Sequence, residues 1–422
     1  MKANFQEKMN DLSIFLNNQR HLKSIKEAFM MTVPITMVGS IALLISTPPI
    51  PATTENATLQ AIKAWCMSIT GFKLPYTMTI GIFGLWVLLT VAYCHAKNCG
   101  VNVLSGTLIA AVSFMCISVR PEEGKIAING LGSGSIFAAM VIGLVTIEMY
   151  AWLLKKNVKI KMPEVVPPAV SAPLEAMLSC GIIIIVVVFV NEMLISLTGM
   201  NFSAATMAVF RPLVHGSDTL VALIFIVLLQ RVLWFFGIHG NSVTNAVLNP
   251  ILMANLVANQ EAYAAGLPIP HTLTTVVMGG SFWGLSFLPA AIVMVAFCKS
   301  AHLKSLGKIG IIPAFCGIGE PINFGTPFIL NFDLLIPSMV QFVLNCSVAY
   351  ICMDLGIIHR AIVNPTLGLP SIVNVCMASM DWKAGILWVI LLAVDVAMYI
   401  PFMRSYDQKL LKEEEEYAEK SE

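Results

Sequence analysis

Nine apolar runs of about 20 residues dominate the chain, near 29 to 47, 77 to 96, 100 to 119, 132 to 153, 174 to 198, 219 to 238, 272 to 298, 332 to 352 and 382 to 402. About 20 apolar residues of helix cross a ~30 Å hydrocarbon core, and lipid leaves helices and closed barrels as the only spanning structures. The pattern therefore predicts an all-α polytopic membrane protein. Two further segments, near 239 to 258 and 357 to 380, are apolar but interrupted by breakers. A mean hydropathy of +0.81 excludes an ordinary soluble enzyme.

Charge sets the expected orientation. Lys2, Lys8, Arg20, Lys23 and Lys26 precede the first run, Lys155, Lys156, Lys159 and Lys161 follow the fourth, and Arg404, Lys409 and Lys412 follow the last. The positive-inside rule puts these segments and both termini in the cytoplasm. Lys299, Lys304 and Lys308 fit that rule only if residues 239 to 271 add a crossing or one of these segments is re-entrant. The first 28 residues lack the apolar core of a signal peptide. A net charge of +1, with no basic patch interleaved with aromatics, gives no reason to expect nucleic acid as a partner; lipid is the expected surround. The ten cysteines form no Cys-x-x-Cys pair, so neither a metal site nor a disulfide framework nor a cofactor is expected. Most of the thiols lie in apolar runs, where cysteine acts as a small hydrophobe.

The chain divides by texture. Residues 1–28 read as a cytoplasmic segment, 29–200 as a regular scaffold or subunit interface with small residues for close helix packing, and 403–422 as a charged tail. Residues 201–402 carry clustered polar residues and helix breakers at 237 to 249, 317 to 331 and 364 to 374. Irregular backbone at membrane depth is tolerated where it is buried or lines a cavity, so the transport chemistry is expected there.

Three constellations stand out. In Gly317-Ile318-Gly319-Glu320-Pro321-Ile322-Asn323-Phe324-Gly325 a carboxylate sits between breakers, beside Asn323, Thr326 and Asn331. A carboxylate that accepts two hydroxyl hydrogens is a selective grip on a sugar; the competing structural reading pairs Glu320 with Arg231 or His239. In Gly237-Ile238-His239-Gly240 a span ends on an imidazole that both donates and accepts, followed by Asn241, Thr244, Asn245 and Asn249 on one polar stripe. The plainer reading of His239 is a turn residue held by a backbone carbonyl. The third, Asn364-Pro365-Thr366-Leu367-Gly368, is polar and broken but less specific. Trp234, Trp283, Phe324, Phe328, Trp382 and Trp388 are the aromatics available to stack on a sugar face, or to pack.

On these residues, and on Asn18-Gln19-Arg20-His21-Leu22, Pro48-Pro49-Ile50-Pro51, Pro401-Phe402 and Tyr406-Asp407, the chain resembles enzyme IIC of the bacterial phosphotransferase system, lactose/cellobiose family. The resemblance implies a homodimer in the bacterial cytoplasmic membrane, with about ten transmembrane helices and two re-entrant hairpins per subunit and the sugar in the C-terminal domain. It implies a permease whose sugar, an oligosaccharide or β-glucoside, is phosphorylated from a phosphocysteine on enzyme IIB, itself served by IIA. Such a chain is not an enzyme alone, and with no soluble domain expected after Pro401, IIB and IIA are expected on other chains. His239 and Glu320 match the two residues that contact the sugar near its reacting hydroxyl; Gly319, Asn241, Asn245, Asn323, Thr366 and Trp382 complete the candidate binding set. The chain departs from the family pattern at Gly319, where Asn is usual, and at 364 to 368, where a Trp-bearing run is frequent. The alternatives from the residues alone are an ion-coupled sugar transporter, with Glu320 binding H⁺ or Na⁺, and a sensory membrane subunit that does not transport.

Overall fold

The computed structural model describes residues 19–421 except 51–53, 120, 123–124, 127, 161–167, 238, 279–281, 326–327, 329–330 and 365–367. Helices account for nearly all of the ordered elements, and a two-residue antiparallel pair, Pro121–Glu122 with Lys125–Ile126, is the one β ladder among the described residues. Among these residues six helices are long and apolar enough to cross a membrane: Arg20–Ser46, Thr70–Cys99, Ser133–Lys155, Pro173–Thr198, Asp333–Asp354 and Lys383–Lys412. Phe202–Ser217 and Leu220–Phe235 reach that standard as a pair.

The chain separates into two compact units. One comprises residues 14–215 and 245–270. Its centre is α1 (Arg20–Ser46), α2 (Phe83–Cys99) and α3 (Ile136–Lys155), with α4 (Val103–Ser118) packed on the last two. Local sequence sets their limits. Gln19 caps α1 by accepting the Leu22 amide at 2.6 Å. Left-handed Gly100 ends α2, and Asn102 starts α4 by accepting the Ser105 amide at 2.9 Å, so three residues turn the chain back on itself. Gly106 lets α4 lie close to α3, since a Cβ there would come 2.8 Å from Ile147 Cδ1. The segment 245–270 is tied in by polar contacts. Glu261 accepts the Ser133 amide at 2.9 Å and also its hydroxyl, Gln260 Nε2 donates to Ser40 Oγ at 2.7 Å, and Tyr263 donates to the Thr47 carbonyl at 3.0 Å.

The other unit contains residues 216–244 and 271–422. Here α5 (Leu220–Phe235) packs on α6 (Phe332–Asp354), and α7 (Leu288–Phe297), α8 (Ala301–Phe315) and α9 (Lys383–Ser421) pack around one another. The apolar run 272 to 298 does not form one helix. It holds a short helix at Thr275–Met278, then a tight turn in which Leu285, Ser286 and Phe287 all have positive φ (58°, 44° and 62°), then α7 with Pro289 in its first turn. By contrast, residues 240 to 264 form a continuous 25-residue helix despite Pro250, and the boundary between the units runs through it. Hydropathy alone does not separate these cases, because both runs are apolar and differ in backbone conformation.

Candidate functional site

The unit containing α5 and α6 holds an open pocket lined by Arg231, Trp234, Asn241, Ser286, Phe287, Gly319, Glu320, Asn323 and Phe342. Three chain breaks and one continuous helix build it. α5 ends at Phe235, and a glycine-flanked turn carries His239 into the helix that starts at Gly240. Gly240 is required by space: a Cβ there would fall 2.3 Å from the Gln230 carbonyl. The second break is the left-handed turn 285–287, conformations that cost non-glycine residues free energy and cluster at ligand sites. The third is the end of α8 at Phe315, after which Gly317 to Gly319 lead into the short helix Glu320–Gly325. Ile322 of that helix packs on Gly310, fixing it to α8. The remaining wall is Phe342 on α6.

Gly319 explains how two of these breaks meet. A Cβ at this position would lie 2.8 Å from the Ser286 carbonyl and 3.2 Å from Phe287 Cδ2, so a larger residue would push the turn away from Glu320. Glu320 opens the short helix, and its Oε1 is 3.7 Å from His239 Nε2, with both side chains part-exposed, at 48% and 39%. His239 also lies against Trp234, ring centroids 4.4 Å apart. Arg231 is 5% exposed and has its guanidinium carbon 3.7 Å from the centre of the Phe342 ring and 5.7 Å from that of Phe287. Its positive charge acts on Glu320 from the pocket wall.

Three polar atoms of the pocket lining lack protein partners among the described residues. Arg231 Nε, Asn241 Oδ1 and Asn323 Nδ2 are buried and make no hydrogen bond to any described residue. Buried polar atoms without partners are uncommon and costly, at about 1–3 kcal/mol each. Two donors and an acceptor around one cavity, next to a carboxylate and an imidazole, match a polyhydroxyl ligand whose every OH both donates and accepts. Trp234, Phe287 and Phe342 form the apolar part of the lining, with the Arg231 guanidinium over the Phe342 ring.

The structure thus brings together Glu320, His239, Gly319, Asn241 and Asn323 from the candidate set. It does not bring Trp382 to this pocket; that side chain is 71% exposed. Asn245 is half-buried and belongs to the other compact unit, and Thr366 lies outside the described residues. Ser286, Phe287 and Phe342 carry no sequence signal, being ordinary members of apolar runs. Arg231 does carry one: a cation inside the run 219 to 238.

Residues 26–341 match the family model described as "Phosphotransferase system, EIIC". The oligo-beta-mannoside-specific EIIC component of Bacillus subtilis (strain 168) is 29% identical over 420 residues, covering 96% of this chain and 93% of the relative. The cellobiose-specific EIIC component of Geobacillus stearothermophilus is 28% identical, covering 94% and 92%. A lactose-specific EIICB component of Staphylococcus haemolyticus (strain JCSC1435) is 26% identical, with 93% of this chain matching 68% of the longer relative. Among solved structures, the transporter ChbC, the IIC component from the N,N'-diacetylchitobiose-specific phosphotransferase system, superposes with a TM-score of 0.86 at 28% identity, covering 96% of this chain and 98% of that one.

Proposed function

The chain belongs to the EIIC family of the phosphotransferase system, as the sugar permease component and a multi-pass membrane protein, and we propose that its cargo is a β-linked oligosaccharide held in the Glu320 pocket. The single observation that carries the site assignment is the convergence of Arg231 Nε, Asn241 Oδ1 and Asn323 Nδ2, all lacking protein partners among the described residues, beside Glu320 and His239. The β linkage rests on the relatives, whose names specify oligo-β-mannoside, cellobiose and lactose.

In this reading Glu320 accepts hydrogens from the sugar hydroxyls, and His239 orients the hydroxyl that is to be phosphorylated. Phosphoryl transfer asks the protein mainly for positioning and charge stabilisation, so Glu320 and His239 set the nucleophile in line while Arg231 supplies positive charge close by. The phosphate comes from a phosphocysteine on a IIB component; the lactose relatives named EIICB support that partnership. The remaining expectations join the same proposal: a homodimer, cytoplasmic termini, about ten spans with two re-entrant hairpins, the 29–200 region as scaffold and the 201–402 region as the part that carries sugar.

Calorimetry on the purified chain with matched β- and α-linked disaccharides tests the cargo, and uptake in vesicles tests coupling. The expected result is β-selective binding, with the product appearing as sugar phosphate when phosphoenolpyruvate and the soluble components are supplied. Binding and coupled uptake left unchanged by both Glu320→Gln and His239→Ala would overturn the site.

A further inference from the structure

In the unit that contains α1, α2 and α3, at the end where α1 begins and α2 and α3 finish, three residues distant in sequence converge. His21 lies in the first turn of α1, His95 in the last turns of α2 and Glu148 in the second half of α3. Both imidazoles direct Nε2 at the same atom, Glu148 Oε1, from 3.0 Å (His21) and 3.1 Å (His95), and the three ligand atoms lie within 4.8 Å of one another. Around a tetrahedral zinc ion with bonds of about 2.0–2.1 Å, the ligand-to-ligand edges are about 3.3 Å. The two nitrogen-to-oxygen edges differ from that by a few tenths of an ångström, and the nitrogen-to-nitrogen edge, which lies within 4.8 Å, closes as the ion draws the two imidazoles together.

The hydrogen bonds place a hydrogen on Nδ1 of the buried imidazole. Ser24 has one hydroxyl hydrogen, and it goes to the Arg20 carbonyl at 2.7 Å. Ser24 Oγ also accepts from Asn98 Nδ2 at 2.9 Å, so towards His95 Nδ1, 3.0 Å away, it can only accept. Nδ1 therefore carries a hydrogen, and the ring in its neutral form points the Nε2 lone pair at a carboxylate oxygen. Two acceptors at 3.1 Å repel unless a proton or a metal cation lies between them. An Nδ1–H held by a neighbouring oxygen is also the second-shell arrangement that fixes metal-binding histidines. At His21 the arrangement is reversed: Gln19 Nε2 donates to Nδ1 at 2.9 Å, so Nε2 carries the hydrogen towards Glu148, and an ion would take the place of that proton as Gln19 turns away.

We propose that His21, His95 and Glu148 form a binding site for a divalent transition metal of borderline softness, such as Zn²⁺ or Co²⁺, with water completing the coordination. Cys99 Sγ is 3.6 Å from His95 Nε2, yet it is not among the atoms that converge on the site, so it is not assigned as a ligand. Arg20 pairs with the same carboxylate through a side chain 44% exposed, and so acts as a built-in competitor that swings away when the metal binds. The bound ion would clamp the first turn of α1 to α2 and α3. Spacing in the sequence does not show this site, because its ligands are 74 and 53 residues apart.

The test uses the full chain in detergent, stripped with chelator and titrated with Co²⁺ and then Zn²⁺. One Co²⁺ per chain with the absorption of a tetrahedral centre, displaced by Zn²⁺ and raising the melting temperature, is the expected result. His21→Gln and Glu148→Gln should each weaken binding at least tenfold, and Arg20→Gln should tighten it. His95 is fully buried, so its removal risks misfolding; His21→Gln carries the test, provided its metal-free melting temperature equals the parent's. No tetrahedral spectrum, or binding unchanged in His21→Gln, would overturn the site and leave His95 as an imidazolium paired with Glu148. Arg20→Gln weakening the binding would overturn the geometry.

Discussion

Two carboxylates, Glu261 in one compact unit and Glu320 in the other, have different surroundings. Around Glu261 the protein supplies its own partners: Ser133 donates twice to the carboxylate, and the neighbouring Gln260 and Tyr263 each reach another helix or its end. Around Glu320, Arg231 Nε, Asn241 Oδ1 and Asn323 Nδ2 are buried without a hydrogen-bond partner among the described residues. A carboxylate alone therefore does not mark a transport site, since each unit has one. What separates them is whether the carboxylate itself is met by protein donors or opens on a cavity.

Removing the charge of Glu320 should have the largest effect on sugar. Hydrogen bonds to a charged group contribute roughly 1.5–3 kcal/mol, so Glu320→Gln should weaken sugar binding by roughly ten- to a hundredfold, read by calorimetry. Its melting temperature without sugar should stay near the parent's, because the side chain is 48% exposed and water can take its place beside His239. Glu261→Ala should do the reverse. It leaves the Ser133 amide without its acceptor and should cost about 1–3 kcal/mol of stability, seen as a lower melting temperature, with sugar affinity within twofold of the parent. If both variants lost affinity and stability together, the contrast between the two carboxylates would fail.

Much of this was legible in the sequence, and the limits have physical causes. The apolar runs located most helices because length and hydropathy determine what can cross lipid. Glu320 and His239 stood out because charge and breakers are rare there. The run 272 to 298 misled because its interruption lies in the φ angles of Leu285, Ser286 and Phe287, none of which is a residue type that announces positive φ. Phe342 and Phe287 were hidden for a similar reason: an aromatic in an apolar run looks the same whether it packs a core or walls a pocket. The polar residues Asn241, Thr244 and Asn245 do lie on one helix, Gly240–Ala264, but only Asn241 lines the pocket.

A smaller effect is expected at Gly319, where space rather than charge is at stake. Gly319→Ala places a Cβ 2.8 Å from the Ser286 carbonyl, too close to persist without a shift of the 285–287 turn. That turn carries Phe287, which contacts both Phe342 and Phe328, so the shift should propagate to one wall of the pocket. Overpacking of this sort costs about 1–3 kcal/mol, of which only the part that deforms the pocket reaches the sugar. Calorimetry should therefore show a loss of affinity between the effects of Glu320→Gln and Glu261→Ala. An unchanged affinity would mean that Ser286 and Phe287 line the cavity without shaping it.

The smallest effect should come from Trp382, and its smallness is what makes it informative. The indole is 71% exposed and follows Asp381, whose carboxylate accepts the Lys383 amide at 3.0 Å and so caps the start of α9. Trp382→Ala removes surface that faces lipid or water, leaves this cap in place and alters no residue of the pocket lining. Sugar affinity should stay within twofold of the parent by calorimetry, and the melting temperature within about a degree, as for an exposed substitution within about ±0.5 kcal/mol. A tenfold loss would mean that the sugar extends beyond the Glu320 pocket to an outer aromatic platform, and that pocket would then hold only the end of the sugar that receives the phosphate.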